Sequence, residues 1–242
     1  ISRGELWWGN TAAMNDTSEL TDFIRKLREA LRTELKPEKE KLDNLFDLIN
    51  SRVKNEYPYA MSFSKLSDDA AQWERYANNA TGLRIGFNTE ALSKVFYSHD
   101  MMFNEVFYKY EIKNHEHYRG LKEYLQSGEI QGFSSIDGVI DNLILCAAIH
   151  KHDSFSSESE VRLLTLPVIY ENNINKHCSE IAYKVLSNEI KKVLVIRFDK
   201  LCDEAGIQKE DLFTNIMLGP RSSQSIDNLR GFCEAEGYNQ LA

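Results

Sequence analysis

Two patterns of apolar residues follow one another along most of this chain of 242 residues. In some segments apolar residues alternate with polar ones, as in strands, and in others they recur at helical spacing. The segments "YAMSFS" and "LRIGF" have the composition and alternation of strands, whereas residues 134–153 carry apolar side chains three and four positions apart. We therefore predict an α+β fold, with a mixed or antiparallel central sheet flanked by helices. The length suits one main domain, residues 1–242, with room for a full hydrophobic core.

The clearest helical pattern lies between residues 18 and 54. Apolar residues at helical spacing form two runs separated by Pro37: Leu20, Phe23, Ile24, Leu27 and Leu31, then Leu42, Leu45, Phe46 and Ile49. This pattern predicts a helical hairpin, inserted into the main domain, with its charged residues on the outer face. Such a charged face is typical of a solvated surface, and binding of a protein partner through the hairpin is the alternative.

Charge, hydropathy and cysteine content argue against several classes of partner and location. The net charge of −8 argues against a broad nucleic-acid or anionic membrane footprint. The longest apolar stretch contains Asp141 and Asn142 and is too short to span a bilayer. The four cysteines are far apart and form no CxxC pair, so we expect reduced thiols and a cytoplasmic location.

The segment "SESEVRLL", residues 157–164, alternates as a strand does. A strand there would place Glu158, Glu160 and Arg162 on one face. Two interpretations are open. The two glutamates are a catalytic pair, or Glu160 and Arg162 are an ion pair with a structural role.

Four segments occur in an order typical of one bacterial family. They are "LWWGNTAAMND" at 6–16, "YAMSFSKLSDDAAQWERYANNATGLRIGF" at 59–87, "KHDSFSSESEVRLL" at 151–164 and "IMLGP" at 216–220. Together they resemble the family catalogued as domain of unknown function 2971. The resemblance spans most of the chain except the predicted hairpin, and the family name implies no activity.

A remoter resemblance carries an expectation about chemistry. The order of Arg3, the SxS segment (residues 62–64) and the ExE segment (residues 158–160) is similar to the Arg, Ser, Glu arrangement of ADP-ribosyltransferases. It implies NAD as a substrate, for ADP-ribosyl transfer or NAD hydrolysis, and a place in a defence or toxin-like system. A non-catalytic nucleotide-binding or protein-interaction module is the alternative.

That resemblance implies a role for each carboxylate. Cleavage of the bond from nicotinamide to ribose develops oxocarbenium character, which Glu160 would stabilise in the transition state. Glu158 would orient or deprotonate the acceptor. The catalytic candidates are therefore Glu160 and Glu158.

The remaining candidates would bind the ligand. Ser62 and Ser64 would shape the cleft. Tyr59 or Phe63 would offer a ring to nicotinamide, and Arg3 or Arg221 would pair with the pyrophosphate. Arg162 is the remaining candidate for binding the ligand. The two serines and the aromatic residues next to them face opposite sides of their strand. At most one of these two sets can line a single pocket.

Other residues lead to more ordinary expectations. Arg221 precedes a predicted helix that Ser222 or Ser223 would cap, a place that favours an anion. The spacing of Trp73 and Tyr76 predicts a buried stripe of the helix after the serine strand.

The histidine pairs and the cysteines suggest no metal site. The pairs "HEH" at 115–117 and "HKH" at 150–152 lie at helix ends, where residues two apart diverge, so we expect surface histidines. Cys146 lies on the most apolar helix, which argues against a Cys–His nucleophile. A helix is also expected around "CSEIAYKVLS", residues 178–187.

Overall fold

The computed structural model of the protein describes residues 4–11, 18–55, 57–97, 101–129, 133, 135–166, 179–186 and 189–241. The strands in these ranges are β1 (Glu5–Asn10), β2 (Tyr59–Ser64), β3 (Leu83–Phe87), β4 (Met102–Glu105), β5 (Glu160–Thr165), β6 (Ser179–Leu186), β7 (Glu189–Arg197) and β8 (Phe213–Leu218). The α-helices are α1 (Ser18–Glu34), α2 (Lys39–Asn55), α3 (Ala70–Tyr76), α4 (Thr89–Tyr97), α5 (Glu116–Ser127), α6 (Ile136–Ala147), α7 (Phe198–Ala205) and α8 (Ile226–Ala235). This arrangement confirms the predicted α+β class.

Six strands form the central sheet, in the order β4, β5, β2, β1, β7, β6. Every pairing in it is antiparallel, so of the two sheet types expected from the sequence the antiparallel one is present. Strands β3 and β8 pair separately as a two-stranded antiparallel ribbon. None of the helices in the ranges described is long and apolar enough to cross a membrane.

Two hydrophobic cores lie on the two faces of the sheet. Ala60 and Leu164 belong to the core that helices α1, α2, α5 and α6 cover. We call this the first core. The strand neighbours Tyr59 and Leu163 belong to the second core, which α4, α7 and the β3–β8 ribbon cover. Because side chains alternate along β2 and β5, these two central strands bury apolar residues in both cores.

The helical hairpin of α1 and α2 has the predicted inward face. The nine apolar residues that predicted it are all buried, and Phe23 has no exposed surface. Helix α1 packs against α6, and Arg28 Nη2 lies 2.7 Å from Asp43 Oδ1 between the two helices of the hairpin. The hairpin therefore forms one wall of the first core.

The helix expected around residues 178–187 is wrong. Residues Ser179–Leu186 form strand β6, which pairs along its whole length with β7. Ile181, Tyr183 and Val185 alternate with more polar residues, and this period of two suits a strand at the sheet edge. Cys178 and Ser187, at the ends of the predicted helix, lie outside the described residues.

Candidate functional site

The two glutamates of "SESEVRLL" lie in different elements. Residues Asp153–Glu158 form a 3₁₀ helix, and β5 begins only at Glu160. Between them Ser159 adopts the left-handed conformation, with φ of 46°, which interrupts the extended backbone. The prediction that Glu158 shares the strand with Glu160 and Arg162 is therefore wrong.

The carboxylates nevertheless meet in a buried ion cluster of Lys151, Glu158, Glu160 and Arg162. Arg162 donates from Nε to Glu160 Oε1 at 2.7 Å and from Nη2 to Oε2 at 3.0 Å. Lys151 Nζ donates to Glu158 Oε2 at 2.7 Å and to Glu160 Oε2 at 3.3 Å. Glu158, Glu160 and Arg162 are only 5%, 7% and 3% exposed. The two cations balance the two carboxylates within the cluster.

Groups from several elements hold the ion cluster in place. Arg162 Nη1 donates to the Ala148 carbonyl at 2.6 Å, just beyond helix α6. The backbone N–H of Glu160 donates to Tyr108 Oη at 2.9 Å. The Ser64 hydroxyl donates to the Glu158 carbonyl at 2.7 Å. The cluster thus joins β5 to the turn after α6 and to β2.

The charge state of Glu160 follows from these contacts. Burial by itself would raise the pKa of this carboxyl, but the hydrogen bonds and charge of Arg162, helped by Ser62 and Lys151, lower its pKa below the ordinary value. Glu160 is therefore ionised at neutral pH. Both of its oxygens accept hydrogen bonds from protein cations, an arrangement typical of a structural ion pair.

The strand register decides which predicted residues share a face. Ser62 pairs with Arg162 and Ser64 with Glu160, so both serines lie on the face of the ion cluster. Ser62 also forms a side-chain hydrogen bond with Glu160. Phe63 lies on the opposite face, so the predicted separation of the serines from the neighbouring aromatic residues is present.

A groove of about 720 Å³ opens on the Phe63 face, between β2, α3 and the β3–β8 ribbon. We call it the aromatic groove after the rings among its lining residues: Phe63, Trp73, Tyr76, Phe87 and Phe103. Arg84 also lines it, with Nη2 donating to Asn215 Oδ1 at 2.7 Å. Its lining in the described part of the chain also includes Ser62 and Ser64, so the expectation that only one of the two sets could line a single pocket is wrong. Neither Glu158 nor Glu160 lines it.

Tyr76 connects the aromatic groove to the ion cluster. Its hydroxyl donates to Glu158 Oε1 at 3.0 Å, and Arg75 Nη1 lies 3.4 Å from the same oxygen. Trp73 is buried as the sequence predicts, but Tyr76 is 57% exposed, so its assignment to a buried stripe is wrong. Helix α3 is only seven residues long and ends at Tyr76, and Asn78, Asn79 and Ala80 after it have positive φ, so the helical periodicity does not continue.

The other predicted ligand residues do not meet at this groove. The ring of Tyr59 is fully packed in the second core, where it cannot offer a face to nicotinamide. Arg221 is exposed and its backbone N–H donates to the Ala80 carbonyl at 3.0 Å. The cap of the following helix is Ser225 rather than Ser222 or Ser223. Arg3 lies outside the described residues.

The histidines depart most from the expectation of surface residues. His117 and His150 are buried, and His115 is half-buried. His115, His150 and the buried Cys146 bring potential metal-binding atoms within 4.8 Å of one another. Cys146 and His150 are four residues apart, a spacing that can place two ligands on one side of a helix, and this is the signal in the sequence that could have indicated a site. His115 is 31 residues from Cys146, and a local pattern does not link the two.

A second groove, of about 840 Å³, lies beside these histidines. Its lining includes Tyr108, Tyr110, His150 and Lys151, and we call it the tyrosine groove. Asp22 and Lys26 of helix α1 form part of its opposite wall. The ion cluster therefore lies between two grooves, with Lys151 at one and Tyr76 at the other.

Comparison with known proteins gives one match. No curated protein and no solved structure matches the chain, so the ADP-ribosyltransferase resemblance gains no support from them. A family model matches residues 72–163, which include most of α3, all of α4, α5 and α6, and the four residues of the ion cluster. Over that segment the chain is similar to the family described as "Protein of unknown function (DUF2971)", and the first resemblance is confirmed there.

Proposed function

We propose that the protein binds a nucleotide-class ligand, a planar ring joined to a phosphate, in the aromatic groove. The observation that carries the proposal is the lining of this groove, where several rings and one guanidinium surround about 720 Å³. Small-molecule sites commonly have volumes of about 300–1,000 Å³, mostly apolar walls and a few placed polar groups. The groove has all three properties.

The rings and the cation suit different parts of such a ligand. Tyr76, exposed at the rim, has a free face on which a base or a nicotinamide ring can stack. Arg84 is half-buried, and its bond to Asn215 fixes the guanidinium in a position to pair with a phosphate. Lys65, also in the lining, is paired with Glu105 at 2.8 Å, so Arg84 is the cation on which the proposal relies.

Replacing Tyr76 with alanine tests the stacking surface. Loss of one base–aromatic stack costs about 1–3 kcal/mol, so we expect NAD and AMP to bind about 5- to 150-fold more weakly. Isothermal titration calorimetry measures both affinities. Tyr183→Ala is the matched control, because Tyr183 is 71% exposed on β6 and does not line the groove; it should bind like the wild type.

Two further ligands and variants sharpen this test. Tyr76→Phe keeps the ring and removes only the hydroxyl that contacts Glu158, so it should retain most of the affinity. Arg84→Met should weaken AMP more than adenosine, since only AMP carries a phosphate. If the wild type binds neither AMP nor NAD, or if the Tyr76 and Tyr183 variants bind alike, the groove is not the ligand site.

NAD cleavage is a second candidate, favoured by the contact of Tyr76 with Glu158. A ligand stacked on Tyr76 would lie nearer to Glu158 than to Glu160, since the Tyr76 hydroxyl touches the Glu158 carboxylate. Both carboxylates are engaged through both oxygens, Glu160 by Arg162 and Glu158 by Lys151 and Tyr76, so the choice between them rests on this distance to the groove. Within this candidate function, Glu158 is the better choice for stabilising positive charge at the ribose.

Nicotinamide release, followed by chromatography, tests this second candidate. If cleavage occurs, Glu158→Gln should lose it by about 100-fold or more, the scale expected for a group that stabilises transition-state charge. Glu160→Gln should reduce it only as far as it lowers the folded fraction. Equal losses in two folded variants would contradict this assignment, and absence of release from the wild type would exclude NAD cleavage.

A further inference from the structure

We infer that His115, Cys146 and His150 form a binding site for a divalent transition metal of the zinc class. We call these three residues the histidine–thiol cluster. The inference concerns chemistry separate from the aromatic groove and does not depend on nucleotide binding.

Two helix ends bring the three side chains together. Cys146 lies in the last turn of α6, and His150 follows four residues later, just beyond the end of that helix. His115 is the N-cap residue of α5. Helices α5 and α6 are both packed in the first core, so this juxtaposition belongs to the fold.

The distances are close to those of a coordination shell. Cys146 Sγ lies 3.3 Å from His115 Nε2 and 3.9 Å from His150 Nδ1. Around a tetrahedral zinc ion, with bonds of about 2.3 Å to sulfur and about 2.1 Å to nitrogen, the sulfur–nitrogen separation is about 3.6 Å. All three donor atoms lie within 4.8 Å of one another, so small ring rotations complete the arrangement.

The donor set suits a borderline-soft cation. One thiolate and two imidazoles favour zinc, cobalt or copper over magnesium or calcium, which prefer oxygen. Burial lowers the pKa of His150 to about 4, and burial also lowers the pKa of His115, so both rings are neutral at pH 7. Burial raises the pKa of the Cys146 thiol to about 12, so a bound cation must displace the thiol proton to solvent.

A second layer of hydrogen bonds can orient His115. His117 Nε2 lies 2.7 Å from Asn142 Oδ1 and would donate to it, which leaves Nδ1 of His117 as an acceptor. That atom is 3.2 Å from His115 Nδ1. His115 Nδ1 also accepts the backbone N–H of His117 at 3.3 Å, so without a metal the proton of the neutral ring lies on Nε2. On metal binding this proton would move to Nδ1 and be shared with His117 Nδ1, in place of the N-cap hydrogen bond, and Nε2 would present its lone pair toward the cation.

His150 must exchange one contact for another. Its Nδ1 lies 2.7 Å from the Cys146 carbonyl and donates to it when no metal is bound. On metal binding this nitrogen would carry its lone pair toward the cation, and the proton would reside on Nε2. The exchange makes metal binding a local rearrangement at the end of α6 rather than a change of fold.

Aromatic rings exclude water from one side of the cluster. The ring centroid of Phe23 lies 4.3 Å from that of His150 and 5.2 Å from that of His115, and the Tyr110 ring lies 4.4 Å from His150. His150 also lines the tyrosine groove. Three protein ligands leave a fourth position for a water molecule or a small ligand, as in catalytic zinc sites.

Titration with Co²⁺ tests the inference, because thiolate-to-cobalt charge transfer gives an absorption band in the near ultraviolet. We expect one Co²⁺ per chain, displaced by Zn²⁺, and a rise in melting temperature on adding Zn²⁺. Cys146→Ser should abolish the charge-transfer band and the thermal shift. Cys202→Ser should keep both, since Cys202 is equally buried but lies in the other core.

A variant outside the core guards against a folding artefact. His115 is only half-buried, so His115→Asn should remain folded by circular dichroism and bind Co²⁺ at least tenfold more weakly. A wild type without the band, or a band that survives in folded Cys146→Ser, would overturn the inference. Full affinity in folded His115→Asn would also overturn it.

Discussion

Replacing Arg162 with methionine is expected to lower the free energy of unfolding by about 3–5 kcal/mol, because it removes one partner of a buried ion pair. In this variant Glu160 would share the ammonium of Lys151 with Glu158, and the half-exposed Arg75 contacts Glu158. Both carboxylates have little exposed surface through which water can reach them. Urea denaturation followed by circular dichroism measures the change.

Two comparisons make this prediction specific. Arg119→Met, at an exposed position of α5, should change the unfolding free energy by no more than about 0.5 kcal/mol. The double variant Glu160→Met with Arg162→Met should recover most of the loss, since Lys151 and Glu158 still balance each other. A cost below about 1 kcal/mol for Arg162→Met would mean that the cluster has no structural role.

Replacing Phe23 with alanine is expected to cost about 3–5 kcal/mol as well, through a different mechanism. The ring, on the inner face of α1, has no exposed surface and contacts the rings of Tyr110 and His150. Its removal would leave a cavity in the first core. The same urea denaturation measures this cost.

The hairpin supplies its own control for this second prediction. Leu48→Ala, on the outer face of α2, removes a side chain that is 46% exposed and should cost much less. Similar small costs for both variants would mean that α1 packs loosely on the domain. That result would favour the hairpin as a separate partner-binding lobe.

The helices with strong apolar periodicity could be predicted from the sequence. The hairpin, α5 and α6 each have a continuous apolar stripe whose burial does not depend on distant detail. Strand β6 is harder to predict, because an edge strand has mostly exposed residues and its short alternation of Ile181, Tyr183 and Val185 is a weak signal. Its identity depends on pairing with β7, a contact that a local pattern does not contain.

The sequence was enough to predict which residues of β2 share a face of the sheet, but not that the ion cluster is buried. Alternation along β2 was enough to separate Ser62 and Ser64 from Phe63. The ion cluster depends on Lys151, which the turn after α6 brings to β5, and on Ser159, whose left-handed backbone redirects Glu158. The histidine–thiol cluster depends in the same way on the packing of α5 against α6.

The central claim is that nucleotide binding belongs to the Phe63 face of the sheet and that the Glu160–Arg162 ion pair on the other face is structural. Calorimetric titration of NAD into Tyr76→Ala and Glu160→Gln, both at a temperature where they are folded, tests it most directly. We expect Tyr76→Ala to bind about 5- to 150-fold more weakly and Glu160→Gln to bind within about twofold of the wild type. Lost binding in Glu160→Gln with full binding in Tyr76→Ala would contradict the claim.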